Sequence, residues 1–431
     1  MLLRVSTYAP RRMIVVVAAV LATALSYSSI RNARAEHFAG LNTLQGFQRA
    51  TQLEPGNARN WYFLGRYLQY SLEEADTPRA IAAYRNALSF NPRSADAWLD
   101  LATAYEFEGD LPAARRAFLQ AKHAYPLSAE VSWRYGNFLL RQNELDPAFA
   151  EIRHSVEVDP RRAPEAFSRS IRVVPDINLV LDRVLPPASD VYLLVILGLC
   201  NMQQTDQALT VWSRLAAIHP HISMPSAYPL IDLLIQKKQF REAHRIWNQA
   251  LGFAGISPPQ DQPGSVLWDG GFESNIPGGA FSWRYPQSVG GVQIALDAQE
   301  KHSGSRSLRL VFTGRQNINF SDVCQYVAVT PAVPYRFSAW IRTRALTTDQ
   351  GVRFGLHSVS DSASPVVWTD DLRGTQPWTR IELPWTAGKD VQGLLLCVSR
   401  LPSAKFDSMI QGTAWIDDAS LVPQSAESPH P

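Results

Sequence analysis

The chain has 431 residues, room for two or three ordinary domains, and its 46% hydrophobic and 19% charged residues exclude bulk disorder and a multi-span membrane protein. The formal net charge is only +2 and no run of like charge stands out, so nothing in the composition points to nucleic acid as a partner. The three cysteines, Cys200, Cys324 and Cys397, are too few and too scattered for a disulfide framework or a metal-ligand spacing, which leaves a single Cys324–Cys397 bridge in an oxidising compartment open.

Arg4, Arg11 and Arg12 precede an apolar run that begins at Met13. Met13 to Leu25 carries no charge, and a softer Ser/Tyr stretch extends it to Ile30. A spanning helix needs about 20 apolar residues, so the segment suits either a single-span anchor or a signal peptide. Ala33-Arg34-Ala35 has the small-x-small form of a cleavage site, although arginines at 31 and 34 are unusual there. The reading adopted is an uncleaved anchor: residues 1–36 form a cytoplasmic stub and membrane helix, and the bulk of the chain is periplasmic on a single-pass inner-membrane protein. Secretion after cleavage near Ala35 is the alternative. In both, the upstream arginines hold the N-terminus in the cytoplasm. No cysteine follows the run until Cys200, which speaks against a lipoprotein.

Prolines then set a period. Pro55, Pro92, Pro126 and Pro160 are 37, 34 and 34 residues apart, and each ends a segment of helical periodicity. Trp98, Leu101, Ala102 and Tyr105 share one face of a first helix, and Ala114, Phe118 and Ala121 one face of a second. The unit before reads Trp61, Leu64, Gly65, Leu68, then Ala80, Tyr84 and Ala87. The unit after reads Tyr135, Gly136, Leu139, then Ala148, Ile152 and Ser155. The small residue lets the paired helices approach, and the large residue of the second helix fills the gap between units, which must stack to bury their apolar faces. Gly109-Asp110 and Asn143-Glu144 suit the turns. Fainter units surround Phe47 and Ala50, then Tyr192, Leu199, Ala208 and Trp212, then Ile231, Leu234, Ala243 and Trp247.

This pattern resembles the tetratricopeptide repeat. The resemblance implies an α-solenoid over residues 37–252, with Trp61, Trp98, Trp212 and Trp247 in its core and a protein partner in its groove. His219, His221 and His244 read as surface or capping residues.

Residues 253–265 are rich in Gly, Pro and Gln, which suits a linker. Beyond them the period changes to two. Leu308, Leu310 and Phe312 alternate with other residues, as do Tyr335, Phe337, Ala339 and Ile341. Further strand-like runs lie at Phe320–Thr330, Val352–His357, Trp378–Trp385, Val391–Ser399 and Ala414–Val422, so residues 266–422 read as an all-β sandwich, followed by a disordered tail at 423–431.

In Asp269-Gly270-Gly271-Phe272-Glu273, Trp283, His302-Ser303-Gly304-Ser305, Gln325, Trp340, Trp378 and Trp415-Ile416-Asp417-Asp418, this part resembles carbohydrate-binding modules of the galactose-binding-like jelly-roll fold. The resemblance implies a structural Ca2+ held by Glu273 and Asp418, with Asp417 able to replace Asp418 and carbonyls from Gly271 and the 301–305 turn. That is the oxygen chemistry calcium takes. It also implies aromatic residues that stack on sugar rings, for which Trp340, Trp368, Trp378 and Trp385 are candidates, with Arg342 beside them.

The chain carries no HExxH, GxSxG, P-loop or dinucleotide-binding glycine pattern. The sequence thus predicts a multidomain α plus all-β, non-catalytic, membrane-anchored scaffold. Its solenoid binds protein, its sandwich contacts polysaccharide, and exopolysaccharide or cell-envelope assembly would unite the parts. A purely protein-binding envelope scaffold is the alternative, and a glycan-active enzyme, which needs a buried carboxylate pair in a cleft, is the third.

Overall fold

A computed structural model of the chain describes residues 8–257, 263–275, 278–359 and 365–424. Arg4, the middle of the expected linker and nearly all of the expected tail lie outside the described residues. The chain forms two compact units, Met1–Pro186 and Pro187–Pro431.

The first unit opens with α1 (Tyr8–Gly40), a continuous helix of 33 residues, about 50 Å long. Its apolar side chains from Met13 to Ile30 are exposed, and from Arg12 on it is long and apolar enough to cross a membrane or to act as a signal sequence. Its C-terminal end packs on α2 (Leu44–Leu53), where Ala35 is fully buried. Three hairpins follow: α3 (Ala58–Tyr70) with α4 (Thr77–Phe90), α5 (Ala95–Phe107) with α6 (Leu111–Ala124), and α7 (Ala129–Arg141) with α8 (Leu145–Val158). Side chains of Asp76, Ser94, Asp110 and Ser128 accept from N–H groups of the first turns and fix where the helices begin. The expected turns form, with Gly109 and Asn143 both at positive φ. Gly65 and Gly136 are required by close approach, since a Cβ would come 2.7 Å from the Tyr84 ring and 2.8 Å from Ile152. Trp61 and Trp98 are half-buried, and their indole N–H groups donate to the carbonyls of Pro55 and Pro92, tying each first helix to the preceding turn. Two short helices, α9 (Ala163–Val173) and α10 (Ile177–Arg183), end the unit where the repeat lapses.

The second unit begins with α11 (Ser189–Asn201), α12 (Thr205–Ala217), α13 (Tyr228–Gln236) and α14 (Phe240–Phe253), with Trp212 and Trp247 in the core as expected. Among the described residues ten strands follow: β1 (Ser288–Val289), β2 (Val292–Asp297), β3 (Ser307–Thr313), β4 (Phe320–Ala328), β5 (Pro334–Leu346), β6 (Arg353–Ser358), β7 (Val367–Trp368), β8 (Gly374–Thr386), β9 (Gly393–Arg400) and β10 (Gln411–Pro423). They form an antiparallel sandwich of a six-stranded sheet, β1-β2-β3-β10-β5-β8, and a four-stranded sheet, β4-β9-β6-β7. Alternation places Leu308, Leu310, Phe337, Ala339 and Ile341 of the first sheet inward, with Phe354, Leu394, Leu396 and Val398 of the second. Cys324 and Cys397 face each other across β4 and β9 and are joined as a disulfide.

Helix α14 packs against β4. Phe240, fully buried, lies 6.2 Å from the Tyr326 ring and fills the space a side chain on Gly393 would need. Trp247 meets Trp268 edge-on at 5.5 Å, and Arg284 pairs with Asp232 at 2.7 Å. The last helical hairpin and the sandwich therefore share aromatic packing.

Candidate functional site

The two ends of the sandwich sequence meet at one turn. Val266 N–H donates to the Leu421 carbonyl and Ala419 N–H to that of Gly270, which brings the start of the domain alongside β10. The Asp269 carboxylate accepts from Glu273 N–H and Ser274 N–H, shaping the loop that projects Glu273. Glu273 then grips the turn between β2 and β3. Its oxygens accept from the backbone N–H groups of Ser305 (2.7 Å) and Arg306 (3.2 Å) and from the Ser305 hydroxyl. Burial acts to raise the Glu273 pKa, but these hydrogen bonds outweigh it and hold the carboxyl below its usual value.

Asp417 and Asp418 grip the other end of the same turn. Successive residues of a regular strand point to opposite faces. Here the β10–β5 register shifts between Asp417 and Ser420 and Asp418 takes φ +47°, so both side chains reach residues 302–303. Asp417 Oδ2 accepts from the backbone N–H groups of His302 (2.8 Å) and Ser303 (3.2 Å). Asp418 accepts from His302 Nδ1 (2.6 Å) and the Ser303 hydroxyl (2.7 Å). Asp417 is fully buried, and burial lifts its carboxyl to about 6 against the pull of the turn N–H groups.

Glu273 and Asp418, the sequence candidates for calcium, thus hold one turn from two sides. Two carboxylates with nearby turn carbonyls suit calcium in kind. Their oxygens accept from turn donors, so an ion would replace those bonds. Among the described residues no group of three or more His, Cys, Asp or Glu side chains is placed to hold a metal.

The turn also builds an aromatic cluster. His302 stacks on Trp340 of β5, with ring centroids 4.0 Å apart and planes at 17°, and its ring lies 5.7 Å from Trp378 of β8, edge to face. Both tryptophans are half-buried, on neighbouring strands of the six-stranded sheet. Arg342 pairs with Glu300 at 3.1 Å, and Arg380, opposite Trp340, with Glu382 at 3.0 Å. The other candidates go elsewhere. Trp368 is on the four-stranded sheet, its ring against Gly355, where a Cβ would come 2.5 Å from it, and His357 meets it edge-on. Trp385 is largely buried, only 6% exposed, and packs on Tyr335. His302 was not singled out as a ring. Its signal was its place in the His-Ser-Gly-Ser turn, which the acidic pair of β10 reaches.

In the helical part, the first helices of the repeats share a face crossed by polar contacts between hairpins. Asp100 accepts from Tyr62 (3.0 Å) and from Arg134 (3.0 Å), Arg141 pairs with Glu106, and Arg162 and Arg169 lie over the Trp133 ring. Arg169 also donates to the Asn137 side chain at 2.9 Å, a contact that helical periodicity alone did not display.

Residues 71–132 match the family described as Tetratricopeptide repeat. Among solved structures, YrrB, described as a TPR protein with an unusual peptide-binding site, aligns at 16% identity, covering 49% of this chain and 94% of its own, with a TM-score of 0.26. A family 16 carbohydrate-binding module aligns at 19% identity over 36% of this chain and 99% of its own, also at a TM-score of 0.26. TmCBM61, solved in complex with β-1,4-galactotriose, aligns at 20% identity over 37% of this chain and 99% of its own, at 0.26. No curated protein matches the chain. Residues 71–132 thus carry a tetratricopeptide-type match, and the second unit carries an antiparallel β-sandwich.

Proposed function

We propose that this chain is a non-catalytic scaffold, anchored in the inner membrane by α1, whose solenoid engages a protein and whose sandwich contacts a polysaccharide outside the cytoplasm. The observation that carries the glycan reading is the cluster of Trp340, Trp378 and His302, rimmed by Arg342 and Arg380. Flat rings with charged hydrogen-bonding groups beside them suit the apolar face and hydroxyls of a sugar. A calcium ion at Glu273 and Asp418 would stiffen the turn that carries His302. One observation supports export: the Cys324–Cys397 bond suits an oxidising compartment. A role in exopolysaccharide or cell-envelope assembly would use all three parts.

The alternative is a scaffold that binds only protein. It is favoured by the ring of His302, which already covers one face of Trp340. Binding of the full chain to a panel of polysaccharides, with and without a calcium chelator, separates the two. Specific binding supports the glycan reading, and none by a folded, calcium-loaded chain leaves the protein scaffold.

A further inference from the structure

The outward face of the six-stranded sheet carries arginines on both sides of Trp340. Alternation along β5 turns Arg336, Trp340, Arg342 and Arg344 away from the core residues Phe337, Ala339 and Ile341. On the neighbouring strands the register continues the pattern. Arg309 of β3 and Arg342 both lie opposite Trp415 of β10, and Arg380 of β8 lies opposite Trp340.

The carboxylates that meet these arginines do not balance them. Asp297 pairs with Arg309 (3.3 Å) and also accepts from Trp415 Nε1–H (3.0 Å), and Glu300 pairs with Arg342 (3.1 Å). Glu382 is shared between Arg380 (3.0 Å) and Arg336 (3.9 Å). Asp417 and Asp418 are spent on the 302–303 turn. Arg344 is exposed, and among the described residues no carboxylate pairs with it. Its guanidinium lies over the Trp415 ring, 5.0 Å from the centroid, and helps close that ring to 2% exposure although Trp415 stands outside the sandwich core. Stacking of this kind holds the guanidinium in place and leaves its N–H fork for an acceptor, as in the two parallel bonds by which arginine receives a carboxylate.

β5 is an inner strand, hydrogen-bonded to β10 on one side and to β8 on the other. Its main chain therefore has no free edge for a peptide strand, and a polymer laid along this face meets side chains alone. We infer that the polysaccharide taken by this face is acidic, a uronic-acid polymer, with a ring at Trp340 and Trp378 and a carboxylate further along the chain held by Arg344. This rests on the glycan reading of the sandwich and names the class of glycan. Arg344 lies about 13 Å along β5 from Trp340, so a chain of a few sugar units reaches both.

The test uses the full chain, titrated calorimetrically with short oligogalacturonates and oligomannuronates and with the same oligomers after reduction of their carboxyl groups to alcohols. At least one acidic oligomer should bind, about tenfold or more tighter than its reduced form, and the advantage should shrink as salt rises from about 0.05 to 0.5 M. Arg344→Gln should remove most of the advantage and leave binding of the reduced form unchanged. Arg344→Lys, which keeps the charge without the fork, should fall between. The comparison of acidic and reduced forms on the wild type decides the matter if Arg344→Gln misfolds. Neutral or reduced saccharides bound as tightly as acidic ones, with binding lost in Trp340→Ala and unaffected by Arg344→Gln, overturn the acidic class and leave the glycan reading standing. No binding of any saccharide, acidic or neutral, overturns both. Polyglutamate bound as tightly as the uronates, with both indifferent to Trp340→Ala, overturns the inference by showing attraction for any polyanion.

Discussion

His302 lies flat on Trp340 while its Nδ1–H donates to Asp418, so one imidazole joins the carboxylates of the β10 bulge to the aromatic surface of the six-stranded sheet. Ring contacts of this kind are worth about 0.5–1.5 kcal/mol. His302→Ala should therefore weaken polysaccharide binding by roughly three- to tenfold through loss of a ring and of order at Trp340. Isothermal titration of wild type and variant checks this, and tighter binding by the variant would mean that His302 acts only as a cover.

Calcium should act through the same turn. With millimolar calcium the melting temperature of the sandwich should rise, by an amount worth about 2.7 kcal/mol when the ion is at a hundred times its Kd. Glu273→Gln and Asp418→Asn should each abolish most of that rise. The check is differential scanning calorimetry with calcium and with chelator, and an equal rise in the wild type and both variants would place the ion elsewhere.

Asp417 gives the domain a pH signature. Burial moves its carboxyl from 3.8 to about 6. A group with a higher pKa folded than unfolded contributes its full stability below about pH 4, and that contribution is lost as pH rises through about 6. Between pH 4 and pH 7, in chelator, the wild type should lose about 2–3 kcal/mol relative to Asp417→Asn. Urea unfolding of both proteins across that range measures the difference. A difference that does not change with pH would contradict the shifted carboxyl.

The packing of Phe240 over Gly393 predicts that α14 and the sandwich protect one another. Phe240→Ala should cost about 3–5 kcal/mol. Hydrogen exchange should speed up in α14, β4 and β9 together and stay unchanged in α3 to α8. Faster exchange in α14 alone would show that the helix adds nothing to the sandwich.

The periodic parts of this fold were legible because burial imposes a period. The prolines at 92, 126 and 160, the small residues at 65 and 136 and the alternation at 308–312 and 335–341 each record one face of an element. The two-residue β1 and β7 carried too few residues to announce themselves. Contacts between elements were not legible either. Nothing periodic marks the ring of Phe240 for Gly393. The turn of His302 was visible as a motif, but its stacking depends on a bulge that points two neighbouring aspartates the same way. Arg400 is the extreme case. It is fully buried, and its guanidinium donates to Asn317 Oδ1 and to the carbonyls of Ile318 and Ser408, bracing two loops whose meeting only the folded chain reveals.

The central claim is that the sandwich contacts glycan through the Trp340–Trp378 surface. The most direct measurement is the affinity of the full, calcium-loaded chain for a panel of polysaccharides, repeated with Trp340→Ala and Trp378→Ala. The account predicts specific binding to at least one polysaccharide, reduced about tenfold or more in each variant while the fold is kept. Absence of binding by the wild type, or binding indifferent to both substitutions, would contradict it.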